Sequence, residues 1–515
     1  MARFGTHRGG DSKKAAFFYR NQRKKADFLR IGFWLKPSLY QAVGLTKRSR
    51  DPSMDTFYLR FSQIRYFFVA IIPGFVFCIS LVSARVSAGE QELLNSEFST
   101  YEIDLQVTGQ IKFAAQPDLH SKSLEIIEHP VHANSSLIYH QHSMDETSGQ
   151  RGVVSRRYQR ASAKTVIGSS SVNTKLPEDV CDVRVCPNGK SLDFWVPQGF
   201  LTQPETDLLT VAFDPLYFDA LIPPDDSLAG DQWKVSQAAV ANLLCIDTIY
   251  AGVLEATVKQ CTAEGTRVNI QGTIEGAVNG ASTSIAVKGD YDWIPGSNSD
   301  GELSALRVVI QESRTVSYVA PGIDVTAIVE VSCRSGKQLQ PKVITAGIGS
   351  IGPIHGRPRR GPGKPGFQWM CDPHHRYDII YDKSWKIVEQ GSECLTMRLV
   401  DEGALLSQVT VTPLPPRAEA QTLSDFEEDI EKTLGQQFGH LISASLSSRD
   451  DGTTLMRVAS VGEAEGLAFH WIHYHLRSPE GQRLSLSFVV ESTHFARFSD
   501  ADRQYIEGVD LTFKE

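Results

Sequence analysis

The chain has 515 residues, 22% of them charged and 41% hydrophobic, with 52 Lys+Arg against 60 Asp+Glu. That balance excludes a multi-span membrane protein and a wholly disordered chain, and at roughly 150 residues per domain it accommodates about three units. The charge is segregated: residues 1–88 hold 16 Lys/Arg and 4 Asp/Glu, which leaves positions 89–515 with a net charge of −20. A phosphate backbone is repelled by such a body, so no nucleic-acid partner is expected.

Residues 1–53 of the basic segment 1–65 show no sustained periodicity. Within it Met54 is the expected true initiator, because MDTFYLRFSQIRY before an apolar run has the layout of a signal peptide. That run, Tyr66–Ala84, is nineteen residues without a charge, interrupted by Pro73 and Gly74. Its length is marginal for a bilayer core of about 30 Å. Val86-Ser87-Ala88 before Gly89 supplies the small-x-small pattern of a cleavage site, so residues 66–88 read as a signal peptide or an uncleaved anchor, with cleavage between Ala88 and Gly89. Arg60 and Arg65 on the N-terminal flank predict that the chain beyond the apolar run is exported. If uncleaved, residues 66–84 are the membrane contact.

Cys78 lies in the apolar run, and seven more cysteines come after it: Cys181, Cys186, Cys245, Cys261, Cys333, Cys371 and Cys394. Export permits disulfides, but an odd number leaves at least one thiol over, and the pairing stays open. Residues 89–190 read as irregular and partly disordered. They include a tract with His120, His129, His132, His140 and His142, for which a solvated loop outweighs a metal site, and a glycosylation sequon at Asn134.

From 191 to 344 the chain reads as a β-rich antiparallel meander with a packed helix. Val268, Ile270, Ile274 and Val278 alternate with Asn269, Gln271, Thr273 and Glu275, and Ile285, Val287, Tyr291 and Trp293 alternate in the same way. Asn279-Gly280 between them fits the two positive-φ positions of a tight hairpin. Further strands are expected around Leu306–Ile310 and Ile323–Val331, and a helix over Trp233–Ile249. Residues 345–366 are a Gly/Pro/Arg linker. Gly347, Gly349 and Gly352 match G-x-G-x-x-G, but the prolines and glycines after them cannot start the helix that a dinucleotide site needs.

Residues 367–515 read as α+β. Strands are expected over 395–399, 405–413, 440–447, 455–462, 467–476 and 484–491, the last two joined by a turn at Ser478–Gly481. One helix carries Leu423, Phe426, Ile430, Leu434 and Phe438 on a stripe with Ser424 and Glu427 as a capping box. A second carries Phe495, Phe498, Tyr505 and Val509, with Ser499 as cap.

Taken together, Tyr381-Asp382-Lys383-Ser384-Trp385, a strand ending Leu414-Pro415-Pro416, the helix LSDFEEDI, the strands FHWIHYH and LSLSFVVES and the closing FARFSDADRQYIEGV resemble the PsbP-like α/β/α sandwich superfamily. The likeness covers under a third of the chain. It implies a non-enzymatic binding or assembly module and carries over no functional residue. The middle region is vaguely similar to the half-barrel domains of exported lipid carriers, on its meander strands alone.

No catalytic, cofactor-binding or metal residue emerges from the motifs, and no cofactor is expected. H-E-x-x-H, G-x-S-x-G and the P-loop pattern are absent from the sequence. His470, His473 and His475 form the most tempting cluster, with His473 and His475 on the face of Trp471, but a buried or solvated pair outweighs a metal site. Cys371, His374 and His375 come next. Asp290 with Asp292, and Asp425 with Asp429, are acid pairs of the kind an acidic surface yields by chance. The expected function is therefore an exported, non-catalytic binding or assembly protein of the bacterial envelope, with an unknown protein partner. The alternatives are a carrier of an apolar ligand such as a lipid, and a metal-dependent enzyme using the histidines.

Overall fold

The computed structural model describes residues 98–114, 126–144, 152–189, 191–295, 301–336, 363–417 and 420–512. Met54, the run 66–84, Ala88 and Gly89, Cys78, His120 and Gly347, Gly349 and Gly352 of the linker lie outside the described residues. Among those described, no helix is long and apolar enough to cross a membrane. The chain is mostly antiparallel sheet with a few short helices, and its contacts divide it into two compact units.

The larger unit contains a sheet of twelve strands. Six come early: β1 (Phe98–Ala114), β2 (Ile126–Ser143), β3 (Val154–Ile167), β4 (Ser170–Lys175), β5 (Asp182–Pro187) and β6 (Leu192–Trp195). Six come later: β7 (Gln232–Lys234), β8 (Thr248–Thr262), β9 (Gly265–Val278), β10 (Ala281–Ile294), β11 (Glu302–Arg314) and β12 (Gly322–Gly336). Their order is β6-β5-β3-β2-β1-β12-β11-β10-β9-β8-β7, with β4 on β3. The last strand therefore returns to pair with the first.

One row of buried apolar residues runs straight across this sheet, from Val258 through Val268, Tyr291, Leu306, Val331, Ile103 and Leu137 to Ala161. Short helical pieces cover it: α1 (Gln203–Leu209), a 3-10 turn (Pro215–Leu221) and α2 (Gln237–Leu243). Leu208, Leu209, Phe218, Leu221, Val240 and Leu243 complete the core cluster. Thr202 and Glu205 form a reciprocal capping box on α1, which explains how so short a helix holds its start.

The hairpin expected at Asn279-Gly280 is present, with Val278 facing Ala281 and φ of 48° and 75° at the two turn residues. Two expectations fail. Residues 89–190 are not irregular where described but supply β1 to β5, and four of the five histidines sit on β2. In β2 and β3 the pattern is masked by Ser, His and Arg, while β1 alternates plainly from Tyr101 to Thr108 but pairs with β12, more than 200 residues along the chain. The helix expected over 233–249 is a short strand followed by only two turns. Ser236 caps α2, and Cys245 at φ 53° ends its C-terminal turn before β8 starts at Thr248.

This unit also carries a small sheet of β13 (Phe367–Cys371) and β14 (Tyr377–Asp382), followed in the chain by β15 (Trp385–Gln390), β16 (Leu395–Asp401) and β17 (Ala404–Leu414). The smaller, C-terminal unit comprises Glu393–Met397 and Leu406–Gln504. Its strands β18 (Phe438–Ser448), β19 (Thr454–Ala464), β20 (Leu467–Arg477) and β21 (Arg483–Glu491) are arranged β17-β21-β20-β19-β18. These match the strands expected from the sequence, and Gly481 N–H donates to the Ser478 carbonyl at 3.0 Å in the turn between the last two.

Helix α3 (Leu423–Leu434) lies on one face of that sheet, placing Phe426, Ile430 and Leu434 on Met456, Val458 and Trp471. The opposite face takes α4 (Phe495–Phe498) and the start of α5 (Ala501–Glu507), through Phe498 on Phe488 and Asp502 on Tyr474. The capping box is Thr422 with Asp425, two residues before the expected pair, because Thr422 is the last extended residue before the stripe. Phe438 has left the helix for β18 after Gly435 turns the chain at φ 51°. The closing helix is likewise broken, at Ser499 with φ 48°, and Val509 belongs to β22 (Val509–Leu511), beside β14.

Candidate functional site

Strand β20 carries the densest polar chemistry of the C-terminal unit. Cross-strand register places Trp471, His473, His475 and Arg477 on the α3 face, opposite Ser460, Val458, Met456 and Thr454 on β19 and Val489, Ser487, Ser485 and Arg483 on β21. The expected sharing of a face by Trp471, His473 and His475 holds. His475 is 2% exposed with Phe426 of α3 5.8 Å from its ring, and His473 Nδ1 lies 2.8 Å from Ser487 Oγ.

Burial lowers both histidines from an ordinary 6.5 to about 4, and for His475 the charges of Arg483 and Arg477 add to it. Both rings are therefore neutral at neutral pH. His470 lies on the other face, stacked on Phe495 at 3.8 Å, so the three rings of HWIHYH cannot converge on one ion. Among the described residues no group of three or more His, Cys, Asp or Glu is placed to hold a metal.

The Cys371 group is a local loop between β13 and β14. Cys371 Sγ stands 3.1 Å from His375 Nδ1, while the Asp372 carboxylate accepts from the His374 and Arg376 amides and from the Arg376 guanidinium. Cys181, Cys186, Cys245, Cys261 and Cys333 are free thiols. The acid pairs make ordinary surface contacts: Asp290 with Asn269, Asp292 with Arg267, Asp425 in the cap of α3 and Asp429 with Gln421.

Sequence reasoning missed a buried ion pair in the larger unit. Arg156 on β3 is 1% exposed and donates two hydrogen bonds to Asp214, at 2.8 and 2.6 Å, and one to Gln141 at 2.9 Å. Its guanidinium carbon also lies 4.7 Å from the ring centre of Tyr139. Burial by itself would favour losing the proton, but Asp214 outweighs it and holds Arg156 above the ordinary arginine value. Asp214 also accepts from the Leu216 amide as the cap of the 3-10 turn, so the pair fastens that turn to the sheet. Nothing in the sequence around Arg156 distinguishes it from the neighbouring Arg157, which is exposed and pairs with Asp182.

The larger unit also has a cleft of ≈ 160 Å³ lined by Val235, Val240, Ile249, Val253 and Ile274, with Lys234 at its border. Sites for drug-sized apolar ligands start at roughly 300 Å³. The core around the cleft is filled by the side chains of α1, α2 and the 3-10 turn.

Also unmarked in the sequence is the edge of the C-terminal sheet. β18 ends the strand order, and nearly all of its residues are exposed, with Ile442 at 51%, Leu446 at 59% and Leu441 at 36%. Register shifts interrupt its pairing near Phe438 and Leu441, after which Ser443 to Ser448 pair regularly with β19. The outer side of that regular stretch pairs with no strand among the described residues.

No protein-family model matches this chain, and no curated protein does. Among solved structures, part of the chain is similar to the cyanobacterial PsbP protein CyanoP of Synechocystis sp. PCC 6803, at 14% identity and a TM-score of 0.24, over 28% of this chain and 92% of that one. A protein of Bacteroides thetaiotaomicron is similar at 13% identity and a TM-score of 0.21, over 28% of this chain and 48% of its own. A loop-deleted OmpT, an outer membrane protein of Vibrio cholerae, is similar at 6% identity and a TM-score of 0.11, over 76% of this chain and 99% of its own. Likenesses of this size decide nothing about activity or location.

Proposed function

We propose that this protein is an exported, non-catalytic binding protein whose C-terminal unit is a PsbP-like module that captures an extended segment of another envelope protein along β18. The observation that carries the reading is the edge itself. The regular stretch Ser443–Ser448, whose outer side has no strand partner among the described residues, with Leu446 exposed on it and Ile442 exposed beside it, is a liability unless something pairs with it. An incoming strand would satisfy the backbone and cover the apolar side chains. Export rests on the uncharged run 66–84 with its basic flank.

The lipid-carrier and metal-enzyme readings have less support. Among the described residues the core of the larger unit is filled and the cleft beside α2 is small for an apolar ligand, and His470 points to the opposite face of its sheet from His473 and His475.

A photo-crosslinking residue at Ser445, compared with one at the exposed Asp290, tests the reading in envelope extract. A discrete adduct at Ser445 alone, whose partner once purified protects β18 amides from hydrogen exchange, supports it. Equal adducts at both positions, or no protection by the purified partner, overturns it.

A further inference from the structure

Helix α3 packs on β18 and β19, and only the short turn Gly435–Gln437 separates it from the start of β18. It carries five carboxylates, Asp425, Glu427, Glu428, Asp429 and Glu431, against the single cation Lys432. Asp425 is engaged in the cap, Asp429 accepts from Gln421, and Glu428 pairs with Lys432 at 2.7 Å. Glu427 and Glu431 have no cationic partner among the described residues.

At roughly 100° per residue, Glu427 and Glu431 lie on one flank of the buried stripe Phe426–Ile430–Leu434, and Asp425 and Asp429 lie on the other. Phe426 leans on His475 of β20, and Arg417, from the segment after β17, acts on Asp425. Both contacts turn the aspartate flank towards the interior of the sheet. The flank with Glu427 and Glu431 therefore faces the β18 edge.

The two faces of that edge differ. Register puts Leu441, Ala444 and Leu446 on the α3 face, opposite Ser460, Val458 and Met456, and puts Ser443, Ser445 and Ser447 on the other, opposite Ala459, Arg457 and Leu455. On this second face Arg457 donates to Ser443 Oγ at 3.3 Å and pairs with Asp502.

A strand laid along β18 sends alternate side chains to these two faces. On the α3 face it must cover Leu441 and Leu446 and also meet Glu427 and Glu431, which a lysine or arginine does at once: the stem packs on leucine and the head reaches a carboxylate. On the other face Arg457 repels a second cation, and the serines suit short polar side chains. A second copy of β18 meets neither requirement. Its sequence FGHLISASLSS has no Lys or Arg, and antiparallel pairing about a two-fold axis normal to the sheet sets one acidic α3 beside the other.

We propose that the segment captured at β18 is a basic strand, with lysine or arginine at alternate positions turned towards α3 and short polar residues between them. This rests on the reading of β18 as a capture edge and adds the chemistry of what is captured.

Fluorescence anisotropy of the full chain with short labelled peptides tests it: one alternating lysine and threonine, one with the same residues in two blocks, and one alternating glutamate and threonine. The alternating lysine peptide should bind about fivefold or more tightly than the other two at low ionic strength, and Glu427→Gln/Glu431→Gln should remove most of that preference. Glu264→Gln, in an exposed turn of the larger unit, should leave it unchanged. Equal affinity for the lysine and glutamate peptides, each protecting β18 amides from hydrogen exchange, overturns the basic strand and leaves the capture edge standing. Equal affinity for the block isomer reduces the effect to net charge and overturns the proposal. Binding of no peptide overturns it too, and absence of the Ser445 adduct in envelope extract would then remove the capture edge with it. A chain that sediments as a dimer, and as a monomer with Leu446→Lys, assigns the edge to a second copy and overturns the proposal.

Discussion

Arg156 in β3 and His473 and His475 in β20 are all buried, yet the arginine keeps its charge and the two histidines have lost theirs. Part of the difference is intrinsic, since a guanidinium starts far above an imidazole in proton affinity, and the direction of each shift is set by what faces the group. Asp214 offers Arg156 a two-pronged carboxylate, and Gln141 and the Tyr139 ring take up the remaining contacts. His473 meets only a serine hydroxyl, and His475 meets a phenyl ring and two arginines. Burial by itself does not decide ionisation; a matched counter-charge does.

The largest test of that contrast is Asp214→Ala. It strands a buried guanidinium and releases the cap of the 3-10 turn, so the larger unit should lose about 3–5 kcal/mol in urea denaturation. A loss under about 1 kcal/mol would mean that water reaches Arg156 and that the pair is not what fastens the turn.

Next comes acid. The histidines bind protons at 6.5 when unfolded and at about 4 when folded, so the unfolded state takes up more protons across that interval. Stability of the C-terminal unit should be fully present above that range, fall as the pH drops from 6.5 towards 4, and gain no further histidine loss below it. The loss amounts to roughly 3 kcal/mol per histidine at most. Carboxylates contribute in the same window, so the quantity to measure is the difference in slope between the unsubstituted chain and His473→Gln/His475→Gln. Parallel slopes would show that the rings are not desolvated.

An intermediate case sharpens the comparison. Asp502 accepts from Tyr474 OH at 2.6 Å and from Arg457 Nε at 3.0 Å, but Arg457 retains 18% exposure. Asp502→Asn should therefore cost about 2 kcal/mol, less than the loss at Asp214, because water can reach the arginine that is left. Smallest of all, Leu446→Lys on the open edge should change stability by no more than about 0.5 kcal/mol while abolishing the Ser445 crosslink. A large destabilisation there would show that Leu446 belongs to the core.

The C-terminal strands and the hairpin at Asn279 were legible because their information is local. Alternation with period two, a stripe with period 3.6 and an Asn-Gly turn each act over a few residues. Of the early strands, β2 and β3 were hard to read because Ser, His and Arg crowd them, whereas β1 does carry a local signal, Tyr101, Ile103, Leu105 and Val107 alternating with Glu102, Asp104, Gln106 and Thr108, and only its pairing with the distant β12 lay beyond the sequence. Helix ends slipped by a few residues for a related reason. Thr422 and Ser424 are equally good caps by type, and only the packing of Phe426, Ile430 and Leu434 on β19 and β20 selects between them.

By itself the sequence determined the segregation of charge, the uncharged run 66–84, the strand periods and the absence of a catalytic motif, because each is a property of composition or of neighbours along the chain. Only the tertiary structure decided that Arg156 meets Asp214, that Arg477 faces Arg483 beside a buried His475, and that β18 is an edge. These are properties of register and burial. A charged side chain gives no sign in the sequence of whether it will face water, a counter-ion or another charge of its own sign.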